Sequence, residues 1–411
     1  MEIITKFEHD KIVKNIFHLA DIHIRTGNNV FSRYLEYLDV IKKLLNKLKD
    51  HNFENTIIII TGDIFHNKNL IESHGIELFN KLITGLTSFT DVYLIRGNHD
   101  YRQDNKDNID LIGALINNSN YKNLHYLDKT GLYEIGDILI GLVAIQDTLV
   151  QGDTSGRVEE LPKFPWTDKE YKKKIALFHG IILINDNTIY KGTINIKWME
   201  QYDFGLFGDV HKQEIHNSKW NEDGYYEVID NNKIMWGYSG SLIQQNFSEL
   251  VNKHGYLIWD IENYKVFSYD IENKHIYANI FKRNNQLFTK ITNNSFRNVD
   301  IELNEFFREY KHIEKISIKT KNVEHSDLIE ILKNNDIQYN TITKDIYNDN
   351  SINTTETDNL QDTISENNTE NIQQYNSLET WYEFVENKKS NDNKYILDEL
   401  NWKNIIEHPE V

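Results

Sequence analysis

The chain of 411 residues contains no cysteine. That absence excludes a disulfide framework and any thiolate metal site, and it predicts an intracellular protein, with nucleus and cytoplasm unresolved. No uninterrupted apolar stretch reaches the roughly 20 residues of a membrane span, so no membrane association is expected. Met1 to Lys14 is polar and lacks an apolar secretion core. Positive charge is also scarce: 45 Lys and Arg stand against 63 Asp and Glu, a formal net charge of −18. A strong nucleic-acid binder is ordinarily basic. The imbalance is uneven, however. Residues 346–411 hold 14 acidic and 4 basic side chains, which accounts for −10 of the −18 and leaves −8 for residues 1–345. Two bound divalent ions would bring that body to about −4. A basic partner surface could supply further attraction for phosphate.

What is present is a series of short apolar runs, each ending in metal-ligand residues. Residues 14–20 lead into Asp21-Ile22-His23, and 56–60 into Gly62-Asp63. Residues 91–95 lead into Gly97-Asn98-His99-Asp100, 174–178 into His179-Gly180, and 202–207 into Gly208-Asp209-Val210-His211. Runs of this length and composition predict buried strands. Ligands just past strand ends are where layered α/β folds build their sites. Carboxylates, imidazoles and one amide oxygen suit manganese, iron or zinc. Two such ions about 3.5–4 Å apart can clamp a phosphate and ionise a water. One carboxylate can bridge them, and Asp63 is the natural candidate. Singly, an Asp-x-His or a Gly-Asp usually serves a turn. Five pieces in order point to one two-metal phosphoesterase site.

The set resembles the calcineurin-like metallophosphoesterase superfamily. Within it, the pattern is similar to the double-strand-break-repair nuclease subunits of the bacterial SbcD type. Leu19-Ala20-Asp21-Ile22-His23-Ile24-Arg25 and Gly62-Asp63-Ile64-Phe65-His66-Asn67-Lys68 resemble the first two motifs of that branch. Tyr238-Ser239-Gly240-Ser241, Phe247-Ser248-Glu249 and His254-Gly255-Tyr256 resemble the segment that closes its phosphoesterase domain. The likeness covers about residues 12–270 well, and the rest in outline.

The resemblance implies the following roles. Asp21, His23, Asp63 and His211 would hold one metal; Asp63, Asn98, His179 and Asp209 would hold the other, most simply as two manganese ions, with magnesium as the alternative. His99 would protonate the leaving oxygen, oriented by Asp100, while a hydroxide shared by the ions attacks phosphorus in line. The implied activity is DNA hydrolysis, 3′-to-5′ on duplex ends and endonucleolytic on single strands or hairpins. The implied partners are DNA, an SMC-like ATPase gripped by C-terminal helices, and a second copy of the chain through helices near residues 66–117. One departure stands out: the family's last motif usually reads Gly-His-x-His, and here it reads Gly208-Asp209-Val210-His211. An aspartate still ligates through oxygen and favours manganese or magnesium over softer metals; alternatively it serves only as a turn cap. Two other readings share the motifs: a phosphatase or cyclic-nucleotide phosphodiesterase on the same core, and a non-catalytic scaffold.

Arg25, His66, Lys68, Tyr101 and Arg102 lie near the motifs and are candidate DNA contacts. Lys163 and the run Lys172-Lys173-Lys174 form a second group, although the run reads equally as a solvated helix end. Trp166 is expected to anchor its loop.

The expected architecture is a two-sheet αββα sandwich over residues 1–270, with a small α/β capping domain over 271–345. Ser32 is placed before a helix with a stripe of Leu35, Leu38, Ile41, Leu45 and Leu48. A second helix is placed over about 71–86, with Ile76, Phe79, Leu82 and Ile83 inward. In the cap, a strand over 313–319 precedes a helix capped by Ser326, and 338–342 return as a strand. Residues 346–376 are Asn-rich and acidic, a disordered linker. Residues 377–411 carry apolar residues at helical spacing (Leu378, Trp381, Tyr382 and Val385), suited to docking on a partner.

Overall fold

The computed structural model describes residues 3–7, 12–25, 30–68, 72–101, 110–117, 119, 121–148, 163–184, 192–294, 297–321, 323 and 325–344. Residues 1–346 form one compact unit. The linker expected over 346–376 and the helices expected over 377–411 lie outside the described residues, as does Arg102.

Two sheets make the body. One has eight strands, with Asn15–Leu19, Thr56–Thr61, Val92–Ile95 and Leu124–Leu127 running parallel at one side of it. The other has seven, with Lys173–His179 and Phe204–Gly208 parallel near its middle. The isoleucine run at 57–60 shows why a strand here needs no polar alternation. Ile57 and Ile59 face the other sheet, against Ile138, Ile140 and Leu206. Ile58 and Ile60 face the helices, against Val40, Leu44, Leu82 and Ile83. A strand covered on both faces becomes continuously apolar. Along the outer face of the seven-stranded sheet, Phe178, Phe207 and Trp236 pack under Met199 of the short 3-10 helix Ile196–Met199 and Ile194 of a two-stranded ribbon. The mixed α/β sandwich expected from the motifs is therefore the fold.

The helices differ in detail from expectation. The first spans Val30–Leu48, so Ser32 lies inside it. Its core face is Tyr37, Val40, Ile41, Leu44 and Leu48, and Leu35 is 53% exposed. The buried stripe lies one step round the helix from the expected one because Tyr37 and Val40 fill it. The second helix, Ser73–Thr87, buries Leu78 with Phe79, Leu82 and Ile83, and Ile76 sits at the margin.

A five-stranded sheet follows, built from His275–Arg283, Gln286–Thr292, Asn298–Glu302, Lys315–Lys321 and Gln338–Lys344. With the helices Leu303–Glu309 and His325–Asn334 it closes a separate apolar core that includes Ile280, Phe306, Ile318, Leu328 and Leu332. Ser326 is within the second of these helices rather than before it. No helix among the described residues is long and apolar enough to cross a membrane.

Candidate metal centre

The parallel strands of both sheets end at one edge of the sandwich, and the polar motifs meet there. Backbone hydrogen bonds zip the first two together: Asp21 N donates to Gly62 O, His23 N to Asp63 O and Ile24 N to Ile64 O. Gly180 N donates to Gly208 O and joins the last two. Contact between the loops is too close for side chains at several points, and two are the tightest. A Cβ on Gly97 would lie 2.1 Å from Asp63 Oδ1, and one on Gly208 would lie 2.1 Å from Thr61 O.

Seven sequence-predicted ligands converge in two groups that share Asp63. In the first, His23 Nε2 stands 3.3 Å from Asp63 Oδ2, 3.9 Å from Asp21 Oδ1 and 2.9 Å from His211 Nε2. His211 Nε2 is 4.0 Å from Asp21 Oδ1. In the second, His179 Nε2 is 3.3 Å from Asp63 Oδ1, 3.2 Å from Asn98 Oδ1 and 3.8 Å from Asp209 Oδ1. Asp63 thus turns one carboxylate oxygen to each group, and its Oδ1 also accepts the His99 N–H at 2.8 Å. Asp209 is no turn cap. Its backbone N–H donates to Asp21, and among the described residues its carboxylate faces His179 rather than any backbone amide.

The hydrogen bonds fix which imidazole nitrogen is free. His179 Nδ1 lies 2.7 Å from the Thr61 carbonyl and His211 Nδ1 lies 2.7 Å from Glu249 Oε1. Those nitrogens carry protons, so Nε2 of each ring is the atom turned toward the carboxylates and Asn98 Oδ1. Burial would lower both imidazoles, but the carboxylates around them raise His179 well above its ordinary value and His211 to about 9. A cluster of acids that draws protons onto its histidines is one that a metal cation can occupy instead. Burial pushes the Asp21 carboxyl up to about 7 despite nearby His179 and His211, and burial raises Asp209 also. Burial would raise Asp63 too, but His179 and His23 hold it far below the ordinary carboxylate range. Carboxylates crowded in a dry site without enough positive charge take up protons, and divalent ions invert that logic. The donor set is hard oxygen and borderline nitrogen, and it fits two divalent ions.

Two expectations are corrected. Asp100 does not orient His99. Its carboxylate accepts the N–H groups of Gly97, Ile64 and Phe65 at 3.0, 3.3 and 3.1 Å, and it braces the loops. His99 Nδ1 is held instead by the His66 carbonyl at 2.6 Å. No side-chain pattern announces a backbone acceptor, so neither His66 O nor Thr61 O was legible. Tyr101 is not an open phosphate contact either: it is 7% exposed, with the Arg96 guanidinium 5.0 Å over its ring. Arg25 and His66 do stand at the site, 3.4 Å apart, with the His66 ring stacked on His99. Lys68 is exposed.

The second lysine group is not a helix end. Lys173 opens the strand Lys173–His179, and all three lysines of the run have partners in the body. Lys172 pairs with Asp137 and Glu262, Lys173 with the Tyr264 hydroxyl, and Lys174 lies over the Trp166 ring. Trp166 packs against Tyr202 and anchors the loop. Lys163 is exposed.

Residues 14–213 match the family model described as calcineurin-like phosphoesterase. This stretch is similar to calcineurin-like phosphoesterase domains. Such domains bind divalent metals, and the Asp and His clusters described above are the candidate site here. Over 273 residues the chain is 31% identical to uncharacterized protein R555 of Acanthamoeba polyphaga mimivirus; the match covers 65% of this chain but only 19% of that protein. Among solved structures, a single mutant of Vps29 from Entamoeba histolytica is 12% identical with a TM-score of 0.25, over 70% of this chain and 98% of its own. A cold-active protein-tyrosine phosphatase of a psychrophilic Shewanella is 21% identical with a TM-score of 0.17, over 33% and 44%.

Proposed function

We propose that the phosphoesterase domain is a two-metal phosphodiesterase acting on DNA, the nuclease subunit of a double-strand-break repair complex. The observation that carries the reading is Asp63, with one oxygen toward His23 and the other toward His179. Asp21, His23, Asp63 and His211 would hold one ion, and Asp63, Asn98, His179 and Asp209 the other. Bound there, the ions would supply positive charge to the phosphate and acidify the attacking water.

The chain's own groups do the rest. His99 is held by the His66 carbonyl through Nδ1, which leaves Nε2 to act on the leaving oxygen. Arg25 and His66 offer donors to a non-bridging phosphate oxygen, and Arg25 is itself braced by the Gln245 carbonyl. Glycines 97 and 208 let the loops approach closely enough to bring the two ligand groups together. DNA as the substrate rests on the resemblance of the first two motifs and of the 238–256 segment. Docking of an SMC-like ATPase on residues 377–411 and pairing of two copies through the helices near 66–117 belong to the same proposal.

End-labelled duplex DNA incubated with manganese tests it, beside the Asp63→Ala and His99→Ala variants. Manganese-dependent shortening that both variants lose is the expected result. Turnover of a small phosphomonoester with intact DNA would move the assignment to a phosphatase on the same core. Silence on both substrates with no bound metal would leave a scaffold.

A further inference from the structure

His211 differs from the other two histidine ligands in how it is held. The side chains of His23 and His179 are 2% and 0% exposed, whereas that of His211 is 26% exposed. Its ring packs edge-on to that of His23 but is less fully enclosed, and the Glu249 carboxylate holds it from the other side of the imidazole, with Oε1 at 2.7 Å from Nδ1. Glu249 is in turn pinned by its own turn. Its Oε2 accepts the Gln245 N–H at 2.8 Å, and Oε1 accepts Asn246 Nδ2 at 3.3 Å. An imidazole ligand fixed through its second nitrogen by a carboxylate has its tautomer, direction and basicity set together.

That turn is fastened to the five-stranded sheet by one buried side chain. Gln244, 2% exposed, donates from Nε2 to the Glu249 carbonyl at 2.9 Å and to the Tyr277 carbonyl at 2.6 Å. Its Oε1 accepts the Tyr277 N–H at 2.8 Å. The amide thus pairs both ways with the backbone of the strand His275–Arg283, as a neighbouring strand would. From the other side, Arg33 of the first helix donates to the Gln244 carbonyl at 2.9 Å.

We propose that Glu249 is the positioning residue for the His211 metal ligand, and that Gln244 couples its position to the seat of the five-stranded sheet. A shift of that sheet moves the turn 244–249, turns the His211 ring and weakens the ion it holds. The sheet is then a control element for the metal centre, not only a wall beside it. This rests on the two-metal reading given above.

The test is calorimetric titration of the full chain with manganese, which needs no substrate. His211→Ala sets the scale for a lost ligand. Glu249→Ala is expected to weaken one ion and not the other by about 10–100-fold. Glu249→Gln keeps an acceptor oxygen and the volume, and is expected to fall between it and the wild type. Gln244→Ala, which leaves Glu249 in place, is expected to weaken the same ion by roughly 10-fold. Glu249→Ala added to His211→Ala is expected to cost nothing further, because both act on one ligand. Wild-type affinity in both Glu249 variants, or additive losses in the double variant, overturns the positioning role. Wild-type affinity in Gln244→Ala overturns the coupling to the sheet. Absence of manganese binding by the wild type overturns the metal reading and this inference with it.

Discussion

Four of the seven candidate ligands hold backbone conformations that side chains ordinarily avoid. Asp21, His23 and Asp63 have φ of 50, 48 and 53°, and Asp209 has φ of 92°. Each such residue costs on the order of 1–3 kcal/mol, so the fold carries strain where the ligands are aimed. Asp209→Gly should release it. The metal-free variant is expected to gain on the order of 1 kcal/mol, about 2 °C in melting temperature, while its manganese affinity falls. A drop in both would show that Asp209 is held without strain. His99 makes a separate prediction, since the proposal assigns it to the leaving oxygen and not to an ion. His99→Ala should slow hydrolysis by about 10²–10⁴-fold with metal stoichiometry unchanged; loss of an ion in that variant would contradict the assigned role. His18 sits beneath the site, buried, with Nε2 2.9 Å from Thr61 Oγ1. Burial lowers its pKa from 6.5 to about 3. The unfolded chain therefore takes up the proton first as the pH drops. This contribution to stability is complete above about pH 6.5, is lost between 6.5 and 3, and does not change further below 3. Its full size is about 5 kcal/mol. His18→Gln should flatten the acid side of the melting profile; an unchanged profile would mean that the imidazole is solvated.

At the scale of elements, the ligand loops are short and each is tied down by buried polar contacts. The third motif is an example. Arg96 precedes Gly97, is 4% exposed, and pairs with Asp110, which also accepts the Tyr126 hydroxyl. Asp110→Ala leaves a buried guanidinium without its anion. It should cost about 3–5 kcal/mol of stability in chemical denaturation, and a loss under 1 kcal/mol would place the pair in solvent. Such ties explain what was legible in the sequence. The strands before Asp21, Asp63, Asn98, His179 and Asp209 are readable because both faces are covered and the runs are mostly apolar. The ligands were readable because each follows such a run directly. The buried face of the first helix is legible only to within one step, since Tyr37 and Val40 fill the core while Leu35 is solvent-facing. Braces such as Asp100 on the Gly97 amide, or His99 on the His66 carbonyl, pair a side chain with a backbone atom remote in sequence. Residue type carries no signal for that partner. Tyr101 is illegible for a related reason: the residue that covers it, Arg96, lies over its ring through a contact that residue type does not announce.

For the molecule as a whole, charge and architecture converge on the same edge of the sandwich. A net charge of −18 is awkward for a protein proposed to act on DNA. Part of that charge is concentrated in Asp21, Asp63 and Asp209, where bound cations would reverse the local field. The proposed centre stands or falls on two ions sharing Asp63. The most direct measurement is anomalous diffraction at the manganese edge from crystals of the full chain soaked in manganese. The account predicts two peaks flanking Asp63, one among Asp21, His23 and His211 and one among Asn98, His179 and Asp209. A single peak, or peaks that leave Asp63 without a metal contact, would contradict it.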